Sequence, residues 1–251
     1  MNSFTGIIRN QYWSESSGMD QGAGNSNEPA HAEAGLVWDW PVRAFHWLLV
    51  LSVAGAWATH YAGIEWFGWH RRLGYVSLVL VAFRIAWGFA GTRHARFAAF
   101  VRGPRAIAAY VRGGSKPEAV GHNPIGALSV VAFLLVLSVQ AVTGLFANDE
   151  IANAGPFFGW VSQETSNRLT AVHHFNSNVL LALIVLHVVA VAWHDVVQRR
   201  GLVRAMLDGR KRGAQGIGSS RGARALLIAG LLAVALALAI RSAPEATISF
   251  F

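Results

Sequence analysis

The sequence predicts an all-α membrane protein: a four-helix transmembrane bundle with a fifth transmembrane helix at its C-terminal end. Three observations carry this expectation. Of 251 residues, 53% are hydrophobic and 14% charged, against roughly a quarter charged in soluble domains. The apolar residues gather into five blocks, each near the length of about 20 residues that crosses a bilayer as a helix. Histidines lie inside or at the ends of these blocks, where an ionisable side chain is costly without a partner.

The blocks cover 44–61, 73–90, 124–147, 173–194 and 225–240. Lipid offers the backbone no hydrogen-bond partner, so each is expected to be helical. The fifth is short, and Arg224 and Arg241 are expected to snorkel from its ends to the headgroups. Residues 1–36 are polar and rich in Gly, Ser and Asn, with no apolar core behind a basic start. They read as a disordered cytoplasmic tail rather than a cleavable signal peptide. The expected division is therefore a tail over 1–36, a four-helix domain over 37–212, and a linker with the fifth helix over 213–251.

Cysteine is absent, which removes disulfides, thiolate metal sites, iron–sulfur clusters and c-type haem attachment. The net charge of +8 points to membrane orientation rather than to nucleic acid, because the cations are segregated. Sixteen of the 21 Lys and Arg fall in the segment through Arg43, in the connection between blocks two and three, and in the one between blocks four and five. Arg71, Arg72, Arg168 and Arg241 lie on the other side. The positive-inside rule then places the N-terminus in the cytoplasm and the C-terminus outside, which in a bacterial inner membrane is the periplasm. The segment 96–110 mixes Arg with apolar residues and reads equally as a surface-lying stretch or a solvated loop.

In the fourth block, His173 and His187 are fourteen residues apart. At 100° and 1.5 Å per residue they share a face to within about 40° and stand about 21 Å apart, enough to stack two porphyrins near the two leaflets. Orientation supplies a partner for each: His46 opens the first helix inside, beside His187, and His70 opens the second outside, beside His173. His60 competes with His70, since it follows His46 by fourteen residues and repeats the spacing of the fourth helix. His94 and His122 sit at the cytoplasmic edge, as candidates for quinone or proton contacts. His174 and His194 read as interfacial or packing residues, and His31 as part of the tail.

Five stretches together resemble the bacterial cytochrome b561 family, which includes the cytochrome b subunits of nickel-iron hydrogenases. They are V-W-D-W-P-V-R-A-F-H-W around His46, W-H-R-R-L-G-Y around His70, F-R-I-A-W-G-F-A-G-T-R-H-A-R-F closing the second helix, G-H-N-P-I-G-A-L opening the third, and V-H-H-F-N-S-N-V-L-L-A-L-I-V-L-H in the fourth. The resemblance implies a four-helix core with two b-type haems, ligated by His46, His70, His173 and His187. It favours His70 over His60. The long tail and the fifth helix fall outside that core.

Arg84 follows His70 by fourteen residues, at the depth of the inner haem, and a haem propionate is its expected partner. Arg43, one turn before His46, is a second propionate candidate. Gln140 and Thr143 lie toward the outer side of the third helix, where ordinary interhelical hydrogen bonding is the leading expectation and a bond to a ligand imidazole or propionate the alternative. The leading functional expectation is electron transfer across the bilayer between the quinone pool and a periplasmic c-type cytochrome or oxidoreductase subunit, with two haem b as cofactors and a quinone as exchange partner. Its rival is a stand-alone quinone-coupled oxidoreductase, such as a superoxide oxidase or ferric reductase, steered by Arg71, Arg72 and Arg168. A haem-free transporter with a histidine path is the third class.

Overall fold

The computed structural model describes residues 34–101, 103–113, 124–151, 153–212 and 219–244. Five long helices dominate it: α1 (Trp40–Tyr61), α2 (Phe67–Ala90), α5 (Pro124–Phe146), α6 (Gln163–Val196) and α8 (Gly222–Ser242). All five are long and apolar enough to cross a membrane, and the chain is a multi-pass membrane protein. Short helices α3 (Phe97–Phe100), α4 (Pro104–Val111) and α7 (Leu202–Asp208) and strands β1 (Ala34–Leu36) and β2 (Arg210–Arg212) complete it.

Helix ends follow the polar sequence rather than the apolar block. α6 starts ten residues before its expected apolar stretch, because Ser162 caps it by accepting the Thr165 amide and the polar run that follows continues the helix beyond lipid. α8 has 21 residues, so the fifth span reaches full length by including its flanking Arg224 and Arg241. Between α1 and α2, a single turn over Ile64–Trp66 depends on Gly63 at φ 121°, a backbone region that only glycine enters without strain. The segment read as a surface stretch or loop folds into α3 and α4. Residues 1–33 and His122 lie outside the described residues.

The closely packed pairs are α1 with α2, α2 with α5, α5 with α6, and α2 with α8. Among the described residues, the histidine-bearing pair α1 and α6 is not one of them. Val81, Leu134, Leu137 and Leu180 form the central core, joined by Leu49, Val53, Phe133 and Ile184. A second cluster gathers Val42, Phe83, Trp87 and Ala225, with Ile228, Ala229 and Leu232 from α8. The outward faces carry exposed Leu51, Leu135, Leu186 and Leu231, as expected where lipid is the solvent.

The end of the bundle where α1 starts and α2 finishes carries most of the cations and is here called the basic end. It is closed by a strap in which β1 pairs antiparallel with β2, Gly35 opposite Lys211. The strap continues into hydrogen bonds from the Val37 and Trp38 amides to the Gly209 carbonyl, at 2.8 and 3.1 Å. Arg43 donates to the Leu207 carbonyl and Trp47 to that of Met206 at 3.3 Å, which ties α7 to α1. Beneath the strap Asp39 is 1% exposed. One carboxylate oxygen accepts the Val42 amide at 2.8 Å and caps α1; the other accepts from Trp87 Nε1 at 3.0 Å and Thr92 Oγ1 at 2.6 Å.

At the opposite end, Asn148 holds the loop before α6, donating to Ser166 Oγ at 2.6 Å and Asn167 Oδ1 at 2.9 Å. Asp39→Asn keeps the helix cap and turns one acceptor into a donor facing two donors. The expected loss is about 2–4 kcal/mol, read as a lower thermal midpoint of the detergent-solubilised protein; an unchanged midpoint contradicts the buried network.

Candidate metal-ligand histidines

His60, at the end of α1, His70, in the first turn of α2, and His173 and His174 of α6 line one cavity of about 400 Å³ at the end opposite the basic one. That size is in the range of small-molecule sites. His70 Nδ1 lies 2.8 Å from the Ala56 carbonyl oxygen, and His173 Nδ1 lies 2.9 Å from that of Gln140. A carbonyl oxygen only accepts, so both rings donate from Nδ1 and keep the lone pair on Nε2, the tautomer of an anchored metal ligand. The two ring centres are 6.3 Å apart, the spacing of two imidazoles on opposite sides of one ion with bonds of about 2 Å.

Glycine makes room for this pair. A Cβ on Gly144 would sit 2.9 Å from His173 Cε1, whereas one on Gly74, which faces the same cavity, would meet nothing within 4 Å. His60 differs from its neighbours. Its ring centre is 5.6 Å from that of His70 and 6.1 Å from that of His174, and among the described residues no hydrogen bond anchors it.

A chain of amides fixes His173 further. Asn176, 8% exposed, donates to the Val136 carbonyl at 3.0 Å, so its nitrogen also faces Gln140 Oε1, at 2.7 Å. That turns the Gln140 nitrogen toward His173 Nε2, at 3.1 Å. Nε2 has a single lone pair, so Gln140 and a metal ion are alternatives at that atom. Thr143 Oγ1, 3.3 Å from His173 Nδ1, is already bonded to the Val139 carbonyl at 2.7 Å.

Near the basic end His46 of α1 and His187 of α6 lie close enough to interact electrostatically. His46 is edge-on to Trp47 and His187 to Phe133. Among the described residues, three buried nitrogens on this side have no hydrogen-bond partner: His46 Nδ1, Arg84 Nη1 and Arg43 Nε. Arg84 is 3% exposed, with its guanidinium 5.1 Å over Phe97 and 5.9 Å over Phe100. A buried guanidinium with an open donor calls for an acceptor, and the carboxylates of a porphyrin are chemically suited to it. Arg43 spends one donor on α7 and retains Nε. The residues present thus fit haem at both depths, by anchored imidazoles at one and unpartnered donors at the other.

Other histidines have different surroundings. His194 Nδ1 is 2.9 Å from Gln198 Oε1. Sequence reading passed over two residues that organise the site. Asn176, three residues after His173 and so on its face, was marked only by being polar in an apolar run. Asp39 was marked by its place in the W-D-W stretch.

A family model described as prokaryotic cytochrome b561 matches residues 37–209. A probable Ni/Fe-hydrogenase B-type cytochrome subunit of Azotobacter chroococcum is 27% identical over 208 residues, covering 69% of this chain and 86% of the relative. Proteins of the same name from Cupriavidus necator and Rhizobium leguminosarum bv. viciae are each 26% identical, covering 78% and 93%, and 72% and 93%, of this chain and the relative. No solved structure matches significantly.

Gly144→Ala drives a methyl group into the His173 ring and is expected to cost about 1–3 kcal/mol. Gly74→Ala, with open space around it, is expected to leave the thermal midpoint unchanged or slightly raised. Equal effects of the two substitutions in thermal denaturation would refute the close approach of α5 to His173.

Proposed function

The chain belongs to the prokaryotic cytochrome b561 family, and from that premise we propose a di-haem electron relay, with His70 and His173 ligating one haem b and His46 and His187 the other. The observation that carries the assignment is the pair of Nδ1–carbonyl bonds on His70 and His173, which leaves Nε2 as the ligating nitrogen of two rings whose centres are 6.3 Å apart. His60 has no such anchor, which supports His70 as the second ligand.

Bound haem would supply reversible one-electron chemistry, with His70, His173, His46 and His187 as the residues that would hold it. The chain's own part is to hold and tune. α6 sets the two sites about 21 Å apart along one helix. Arg84 and Arg43 neutralise carboxylates on the basic side, and the Asn176–Gln140 pair, with the Gln140 carbonyl, fixes the His173 ring. The segregation of cations supports a cytoplasmic basic end in a bacterial inner membrane. Electrons then pass between the quinone pool and a redox partner. The names of the relatives support a hydrogenase in that role, and a periplasmic c-type cytochrome or oxidoreductase subunit is the alternative partner.

A second reading, a stand-alone quinone-coupled oxidoreductase acting on superoxide or ferric ion, draws on Arg71. This residue lines the cavity of His70 and His173 and reaches the Ala154 carbonyl at 3.4 Å. Purified protein that reduces quinone with superoxide, with no partner present, would favour it.

The deciding measurement is the reduced-minus-oxidised spectrum with haem quantified per chain. Two haem b per chain are expected. His70→Ala should lose one and His60→Ala none; a colourless preparation, or haem loss with His60→Ala alone, overturns the assignment.

A further inference from the structure

We propose that His60 and His174 form a binding site for a divalent transition-metal cation at the mouth of the cavity opposite the basic end. The two imidazoles come from different helices, the last turn of α1 and the upper part of α6, and their ring centres are 6.1 Å apart with planes at 51°. With metal–nitrogen bonds of about 2.0–2.1 Å, two imidazoles on one ion have their centres roughly 5 to 6.5 Å apart, from tetrahedral to linear geometry. The observed spacing falls inside that interval.

The remaining features separate this pair from its neighbours. His70 and His173 each spend Nδ1 on a backbone carbonyl, and His194 is engaged with Gln198. Among the described residues, the side chains of His60 and His174 make no hydrogen bond, so either ring nitrogen is free to turn toward a cation. Both residues are exposed at the surface of the bundle rather than enclosed by it. Among the described residues, no three His, Asp, Glu or Cys side chains converge on one point. Spacing alone does not pair the four imidazoles of the cavity, since His60 is also 5.6 Å from His70; the freedom of both ring nitrogens selects His60 with His174, and a cation between them completes its shell with water. Neutral imidazole ligands suit zinc, copper and nickel.

The proposal rests on the functional reading only in leaving His70 and His173 to the haem. His173 and His174 have ring centres 6.1 Å apart, so a dication held by His174 lies beside that haem, stabilises its reduced form and raises its potential.

The test uses untagged, full-length, haem-loaded protein in detergent, stripped with chelator and titrated with zinc chloride by calorimetry. One ion per chain is expected, with affinity lower by about 10- to 100-fold or more in His60→Ala and in His174→Ala while both haem signals remain. Copper(II) bound to the unsubstituted protein should show hyperfine splitting from two imidazole nitrogens in its electron paramagnetic resonance spectrum, and zinc should shift one of the two haem potentials upward. No binding, binding unaffected by either substitution, or a copper spectrum lacking the two nitrogens overturns the site and leaves the haem assignment standing. Loss of a haem with His60→Ala overturns both, since His60 would then be a haem ligand.

Discussion

Lipid gives a polar group no hydrogen-bond partner, and the architecture follows from that one constraint. It forces the backbone into helices, and it makes each polar side chain inside the bundle find a partner within the protein or hold one for something else. Asp39 is the fully met case: three donors converge on its two carboxylate oxygens, joining the start of α1 to the end of α2. Asn176 and Gln140 are met by one another, by a carbonyl and by an imidazole. Arg84 Nη1 and His46 Nδ1 are unmet among the described residues. The contrast separates polar residues that build the scaffold from those proposed to hold a cofactor.

The five spans are legible in the sequence because a bilayer demands a contiguous apolar block. Their ends are less so. The first turns of α6 are polar and look like a loop, since hydropathy sees the part in lipid while the helix is continued by backbone bonds and a serine cap. The β1–β2 strap is invisible for another reason. Three-residue strands carry no periodicity, and the pairing joins residues more than 170 positions apart.

In the site, the fourteen-residue interval brings His173 and His187 to one face of α6, and the same arithmetic makes His46 and His60 a rival pair on α1. Periodicity counts along one helix and cannot resolve that rivalry. The atom that supports His70 is the backbone carbonyl of Ala56, and that of Gln140 anchors His173; carbonyls are present at every residue and so carry no sequence signature. Gln140 and Thr143 were legible as polar groups of α5 able to reach across to a neighbouring helix. That Gln140 uses its carbonyl on one ring nitrogen and its amide on the other required the packing of α5 on α6.

The strap has a consequence for how such a chain is assembled. Because β1 and β2 are neighbours, the residues leading into α1 and those leaving α7 emerge side by side at the same face. The family core over residues 37–209 is thus a cassette with adjacent entry and exit. Segments appended at either end, such as α8 with its seat on α2, are added without threading through the core, and the cassette's terminal geometry is suited to circular rearrangement and to fusion with new modules.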